Sequence, residues 1–270
     1  MNFIHLPSKL QLLIAEKLES RELSYLSRAN HYFHSLCTLV LERLAQEPRN
    51  GCYALQWAII NNYPPLVQLL LSKGHDINNL EGSSYSGTAL HVAFNSKNYP
   101  LILLFLENPT LDLNKLDKHG NTALHLAIAR YNLKVVKPLH AAGADLEIVD
   151  RQGKTALLLA LHCWNVGIME FLVRNGANVN AQPLATGWGE PYIPFLQGSV
   201  WSGSERLVRL ALEYGADPEV RDNRHKRAID IAREWGLTGI VDILRGEVTL
   251  PLDVDVESDL ETVWSDASSG

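Results

Sequence analysis

Three side chains with metal-binding chemistry, His31, His34 and Cys37, fall at i, i+3 and i+6, a spacing that lines one turn-to-turn face of a helix. A structural zinc site needs paired Cys/His clusters, and no second cluster accompanies these three, so they read as ordinary helix residues and no metal is expected. The run Asp253-Val254-Asp255-Val256-Glu257 alternates carboxylates as a calcium loop does, but Ser258 stands where such a loop turns on glycine. His91 and His125 have the chemistry of general bases. Each follows a threonine by three residues (Thr88, Thr122), whereas Leu158 and Gln197 fill the same slot further on. A position that accepts leucine serves the backbone rather than a reaction. The chain carries no glycine-rich phosphate loop, no nucleophile elbow and no carboxylate pair that a fold would bring together. It is expected to be no enzyme and to need no cofactor.

The elements that would position these histidines repeat. Asp117-Lys118-His119-Gly120-Asn121-Thr122-Ala123-Leu124-His125 recurs as Asp150-Arg151-Gln152-Gly153-Lys154-Thr155-Ala156-Leu157, and earlier as Gly87-Thr88-Ala89-Leu90-His91. Thr88 to Thr122 is 34 residues and Thr122 to Thr155 is 33, and a period near 33 means an array of stacked units. Within a unit, threonine caps a first helix. Leu124 and Ala127 share one face, and the small alanine lets paired helices approach. Val135, Val136 and Leu139 give a second helix its buried stripe. Gly143 suits the left-handed residue that ends that helix, and Gly120 suits the turn beyond it. These motifs resemble ankyrin repeats. The fold class that follows is all-α: a solenoid of about six helix-turn-helix units with short hairpin loops over residues 50–246. The units are 53–79, 86–116, 117–149, 150–182, 183–221 and 222–246. The third and fourth are clean and the first is degenerate. The fifth carries six surplus residues around Pro183–Pro191, and the last lacks the turn glycine and reads as a C-terminal cap.

Residues 1–49 do not fit the period. Leu6-Pro7 opens a helix whose apolar stripe is Leu10, Leu13, Ile14 and Leu18; Ser20 starts a second, with Leu23 and Leu26, and a third runs from Ala29 past Phe33. This segment resembles an F-box, a three-helix domain, with Lys9 and Asn30 departing from the usual pattern. The resemblance implies that Leu6, Pro7, Leu10, Ile14, Leu18 and Leu26 engage the SKP-type adaptor of a cullin-RING ubiquitin ligase. The repeats would then hold its substrate. The alternative reading makes the same helices a plain cap on an ankyrin scaffold or inhibitor, with no ubiquitin role.

Charge narrows the partners. The net charge of −6 resides in residues 247–270, with seven acids and no base; the rest holds 23 acids against 24 bases. No basic surface for nucleic acid is expected, and no apolar run is long enough to span a membrane. The tail cannot form its own core and is expected to be disordered, with its acids able to cover basic loop tips. Three scattered cysteines and the lack of a signal-peptide pattern point to cytosol or nucleus. In the ankyrin register the binding positions are the hairpin tips and the concave first-helix face. They are Lys118, His119, Asn121, Arg130, Arg151, Lys154 and His162, then Trp201, Arg224, Lys226 and Trp235. Bases at tips with tryptophan nearby predict a protein partner with an acidic or phosphorylated segment. The chain is expected to be a monomer outside that complex.

Overall fold

A computed structural model of the 270-residue chain describes residues 55–56, 58–78, 87–182 and 193–247. The expected F-box helices, the six adaptor-contacting residues, His31, His34 and Cys37, the fifth-repeat loop at 183–191 and the acidic tail from 248 onwards lie outside the described residues. Two compact units divide at Glu190/Pro191, inside the expected surplus loop. Each is described by itself.

In the first unit, helical residues at 55–56 and 58–60 precede α1 (Pro64–Ser72). Then come the pairs α2 (Ala89–Asn95) and α3 (Tyr99–Leu106), α4 (Ala123–Ala129) and α5 (Leu133–Ala141), and α6 (Ala156–His162) and α7 (Val166–Arg174). The first helices α2, α4 and α6 stack on one another and the second helices α3, α5 and α7 stack behind them. The described residues contain no strand. This is the expected solenoid.

The sequence explains each boundary. Thr88, Thr122 and Thr155 sit in extended backbone, and each hydroxyl accepts the N–H three residues on, from His91, His125 and Leu158. Pro64 and Pro100 fall in the first turns of α1 and α3, where a missing N–H leaves no bond unmade. Between the helices of a pair the chain turns tightly. Asn98, Asn132 and Asn165 N–H groups return to Ala93, Ala127 and Ala160 carbonyls at 2.8, 3.1 and 3.1 Å. That return bond closes a Schellman turn and requires left-handed backbone at the residue before each asparagine. Lys97, Tyr131 and Trp164 occupy that residue, with φ of +57°, +56° and +53°.

The core lies between the two helix rows. Leu90, Phe94, Phe105, Leu124, Ile128, Val136, Leu139, Ile168 and Leu172 have almost no exposed surface, and each such side chain contributes about 1.5–3 kcal/mol on burial. The stripe of Val135, Val136 and Leu139 is buried as expected. Loops add a second connection. The side chain of Asn78 accepts the N–H of Asp112 at 2.7 Å, Asn114 accepts that of Asp145 at 3.0 Å, and Glu147 accepts that of Asn178 at 2.9 Å. Successive repeats are thereby joined on the loop side, and Asn78 adds a second bond there, its Nδ2 donating to the Thr110 carbonyl at 2.6 Å.

The second unit contains α8 (Phe195–Trp201), α9 (Glu205–Glu213), α10 (Ala228–Glu234) and α11 (Thr238–Arg245), again with first helices stacked and second helices stacked. Gln197 stands in the histidine slot and donates through Nε2 to the Val220 carbonyl at 2.6 Å. In the last repeat His225 takes the turn position of the absent glycine, at φ +60°. Arg227 takes the threonine slot, and its N–H donates to the Asp230 carboxylate at 3.1 Å. The Arg227 guanidinium first, and that backbone bond second, hold the Asp230 carboxyl below its ordinary value.

Candidate functional site

Two hairpin tips among the described residues of the first unit, at 117–121 and 150–154, are built by one aspartate each. Asp117 Oδ1 accepts the N–H groups of His119 and Asn121, at 2.8 and 2.9 Å, and the Asp117 N–H donates to the Asn121 carbonyl at 2.9 Å. Asp150 repeats this with Gln152 and Lys154. Gly120 allows neighbouring tips to touch: it has φ +78°, and a Cβ there would lie 2.9 Å from Arg151 Cβ and 3.2 Å from its backbone N. Lys118, His119 and Arg151 are thus exposed together along one rim.

The capping histidines tie the rim to the helices. Thr88 N–H donates to His91 Nδ1 at 3.1 Å, which leaves the proton on Nε2 to reach the Asn121 carbonyl at 3.0 Å. His125 does the same with Thr122 N–H (3.2 Å) and the Lys154 carbonyl (3.2 Å). Burial pushes both imidazoles below their ordinary value, against the opposing pull of these carbonyls and of Asp117 and Asp150. They are neutral structural connectors, as expected from Leu158 in the same slot.

The other predicted positions divide by placement. Asn121 is half-buried and bonded through its main chain. Arg130 turns its guanidinium back on the end of α2, donating to the Phe94 carbonyl and, at 3.2 Å, to Asn95 Oδ1, so it holds two repeats together. Lys154 is half-buried and His162 exposed on the last turn of α6. In the second unit the tip bases are less available than their residue types imply. Lys226 pairs with Glu234, and Arg227 with Asp230 and Glu219 at 3.1 and 3.2 Å. Arg224 is exposed, Trp201 is half-buried rather than exposed, and Trp235 is 60% exposed.

Sequence reasoning passed over Tyr131 and Trp164, 60% and 51% exposed at equivalent turns. The signal was present: each precedes an asparagine at the repeat spacing, in a slot that Gly203 and Gly236 fill in the second unit. Cys163 beside Trp164 is half-buried, and burial pushes its thiol up, away from the reactive thiolate. Among the described residues no group of three or more His, Cys, Asp or Glu side chains is placed to hold a metal. Among them, too, no helix is long and apolar enough to cross a membrane.

Comparison with known proteins agrees with this geometry. The family model for ankyrin repeats (3 copies) matches residues 23–117 and 90–183, together more than half of the chain. The first match begins inside the segment read from sequence as an F-box. The chain is 26% identical over 207 residues to the probable 26S proteasome regulatory subunit p28 of Saccharomyces cerevisiae, covering 76% of this chain and 87% of that protein. It is 28% identical over 199 residues to the B-cell lymphoma 3 protein homolog of Mus musculus, covering 72% of this chain but only 42% of that protein. The crystal structure of an ankyrin repeat domain from Acinetobacter baumannii superposes with a TM-score of 0.60 at 27% identity, covering 72% of this chain and 97% of that one. An array of capped helix pairs whose loops and exposed turns vary while the threonine, leucine and glycine positions recur is an interaction fold, and the chain belongs to the ankyrin-repeat family.

Proposed function

We propose that this protein-interaction scaffold holds a protein partner on the rim and first-helix face of its first unit, and that the partner presents an acidic or phosphorylated segment there. The observation that carries the reading is the row Lys118, His119 and Arg151, exposed on neighbouring tips that Gly120 brings into contact. Such a row offers charge-assisted hydrogen bonds to a carboxylate or phosphate. Arg224 and Trp235 would extend the contact surface of the second unit, and His162 that of the first. The scaffold contributes binding alone, with no chemistry of its own, and works in the cytosol or nucleus. The test is a Lys118→Glu, Arg151→Glu double variant titrated with fluorescein-labelled acidic and phosphoserine peptides. Affinity is expected to fall about tenfold. Unchanged binding would overturn the assignment.

A second reading is favoured by the Leu6-Pro7 opening and the Leu10, Ile14 and Leu18 stripe. In it residues 1–49 are an F-box that joins the scaffold to an SKP-type adaptor, and the repeats present a substrate for ubiquitin transfer. Tethering then acts by raising effective concentration. Co-expression with the adaptor should give co-elution that is lost in a Leu6→Ala, Pro7→Ala, Ile14→Ala variant of unchanged helicity. Absence of co-elution with a folded wild type would leave those residues as a cap.

A further inference from the structure

Tyr131 and Trp164 sit where the first helix of a repeat turns into the second, at the edge away from the tips. Isolated exposed aromatics are ordinary. These two are not isolated, because they occupy one register in adjacent repeats, and Lys97 occupies it in the repeat before. All three are exposed. The register demands left-handed backbone, which bulky side chains avoid and glycine accepts at no steric cost. Gly203 and Gly236 show the unstrained solution at φ +70° and +68°. Two large aromatic rings are therefore held outward in a backbone conformation that opposes them, the pattern in which strain marks function rather than packing.

The edge is also rigid. Schellman bonds close each turn, and Arg130 fastens α4 to the end of α2. Its charge has one sign. Residues 87–106, 118–144 and 151–169 contain no aspartate or glutamate, while Lys97 lies on the edge and Lys134 is exposed three residues after Tyr131. The acids of these repeats are confined to the loops and to Glu107 and Glu170.

We propose that Lys97, Tyr131 and Trp164 form a second docking surface, for an acidic protein segment that carries aliphatic or aromatic side chains. Carboxylates of the segment answer Lys97 and Lys134, and its apolar residues pack on the two rings, which act as preorganised anchors. Few cations and no cluster of them makes a nucleic-acid backbone the poorer complement. The surface is independent of the tip rim, so either can fail without the other.

The probe is a fluorescein-labelled synthetic peptide alternating Asp and Glu with Leu and Trp, titrated into the full chain by anisotropy. A poly-glutamate peptide, a Lys-for-acid version and oligodeoxythymidine run beside it. The wild type is expected to bind the acidic-apolar peptide, and a Tyr131→Gly, Trp164→Gly variant to bind it about tenfold more weakly or not at all. Glycine is the residue this turn accepts, so the variant should melt within about 3 °C of wild type. A Tyr131→Asn, Trp164→Asn variant, which follows the precedent of Asn62 at φ +51°, gives the same reading if the glycines loosen the turn. The Lys118→Glu, Arg151→Glu variant should leave this binding intact. Equal binding of poly-glutamate, tighter binding of the oligonucleotide, no binding of the acidic-apolar peptide, or affinity unchanged by the aromatic replacements would each overturn the proposal.

Discussion

Replacing His91 and His125 together by alanine is expected to lower the unfolding free energy by about 2–6 kcal/mol, read from urea midpoints at pH 7.5. Each imidazole bonds two backbone groups at once: a buried threonine N–H in its own repeat and a part-buried carbonyl in the next. Alanine leaves the threonine N–H without its acceptor, takes the cross-repeat bond from a carbonyl that keeps its hairpin N–H partner, and opens a small void, at about 1–3 kcal/mol per histidine. The same bonds give a pH dependence. Burial, the dominant cause, depresses both imidazole pKa values in the folded state. Their contribution is therefore fully present above the unfolded value of about 6.5 and is lost as pH falls from there towards the folded values. In that window the wild type should lose up to about 1.4 kcal/mol per pH unit for each histidine. The double variant should lack this part of the slope. A variant that keeps the full slope, or loses less than about 1 kcal/mol at pH 7.5, would show that other groups make these connections.

Phe105→Ala should be of similar size, about 3–5 kcal/mol. Phe105 lies on the buried face of α3 with no exposed surface, between the helix rows. Removing its ring deletes transfer energy and leaves a cavity that α2 and α5, the neighbours of α3, can close only in part. Because a solenoid repeat touches only its neighbours, the damage should be local. Amide exchange is expected to accelerate in residues 89–106 more than in α6 and α7, and uniform acceleration would contradict a nearest-neighbour array.

The repeat was legible because its key positions are set by backbone chemistry that few residues can perform. Threonine at 88, 122 and 155 caps, and glycine at 120, 143 and 153 turns at positive φ. Those roles map nearly one-to-one onto residue type. The rim of Lys118, His119 and Arg151 followed from the same register. What escaped was decided by side-chain partners that the repeat register does not specify. Arg130 meets Asn95, 35 residues away, and Lys226 meets Glu234, so residues assigned to a partner are bonded within the fold. The aromatic edge escaped for a sharper reason. Tyrosine and tryptophan are residues that shun left-handed backbone, so residue type at 131 and 164 argues against the very turn they occupy. His225 misleads likewise, standing in for a glycine.

The loop bonds that join Asn78 to Asp112, Asn114 to Asp145 and Glu147 to Asn178 have a grammar of their own. One partner in each is a side chain and the other a main-chain amide that any residue but proline supplies. The joint is thus written on one side only: a repeat names the terms on which its successor attaches, and the successor needs no matching letter. An array so built can be lengthened or spliced at its C-terminal side by duplication of a whole unit, without a compensating change in the incoming copy.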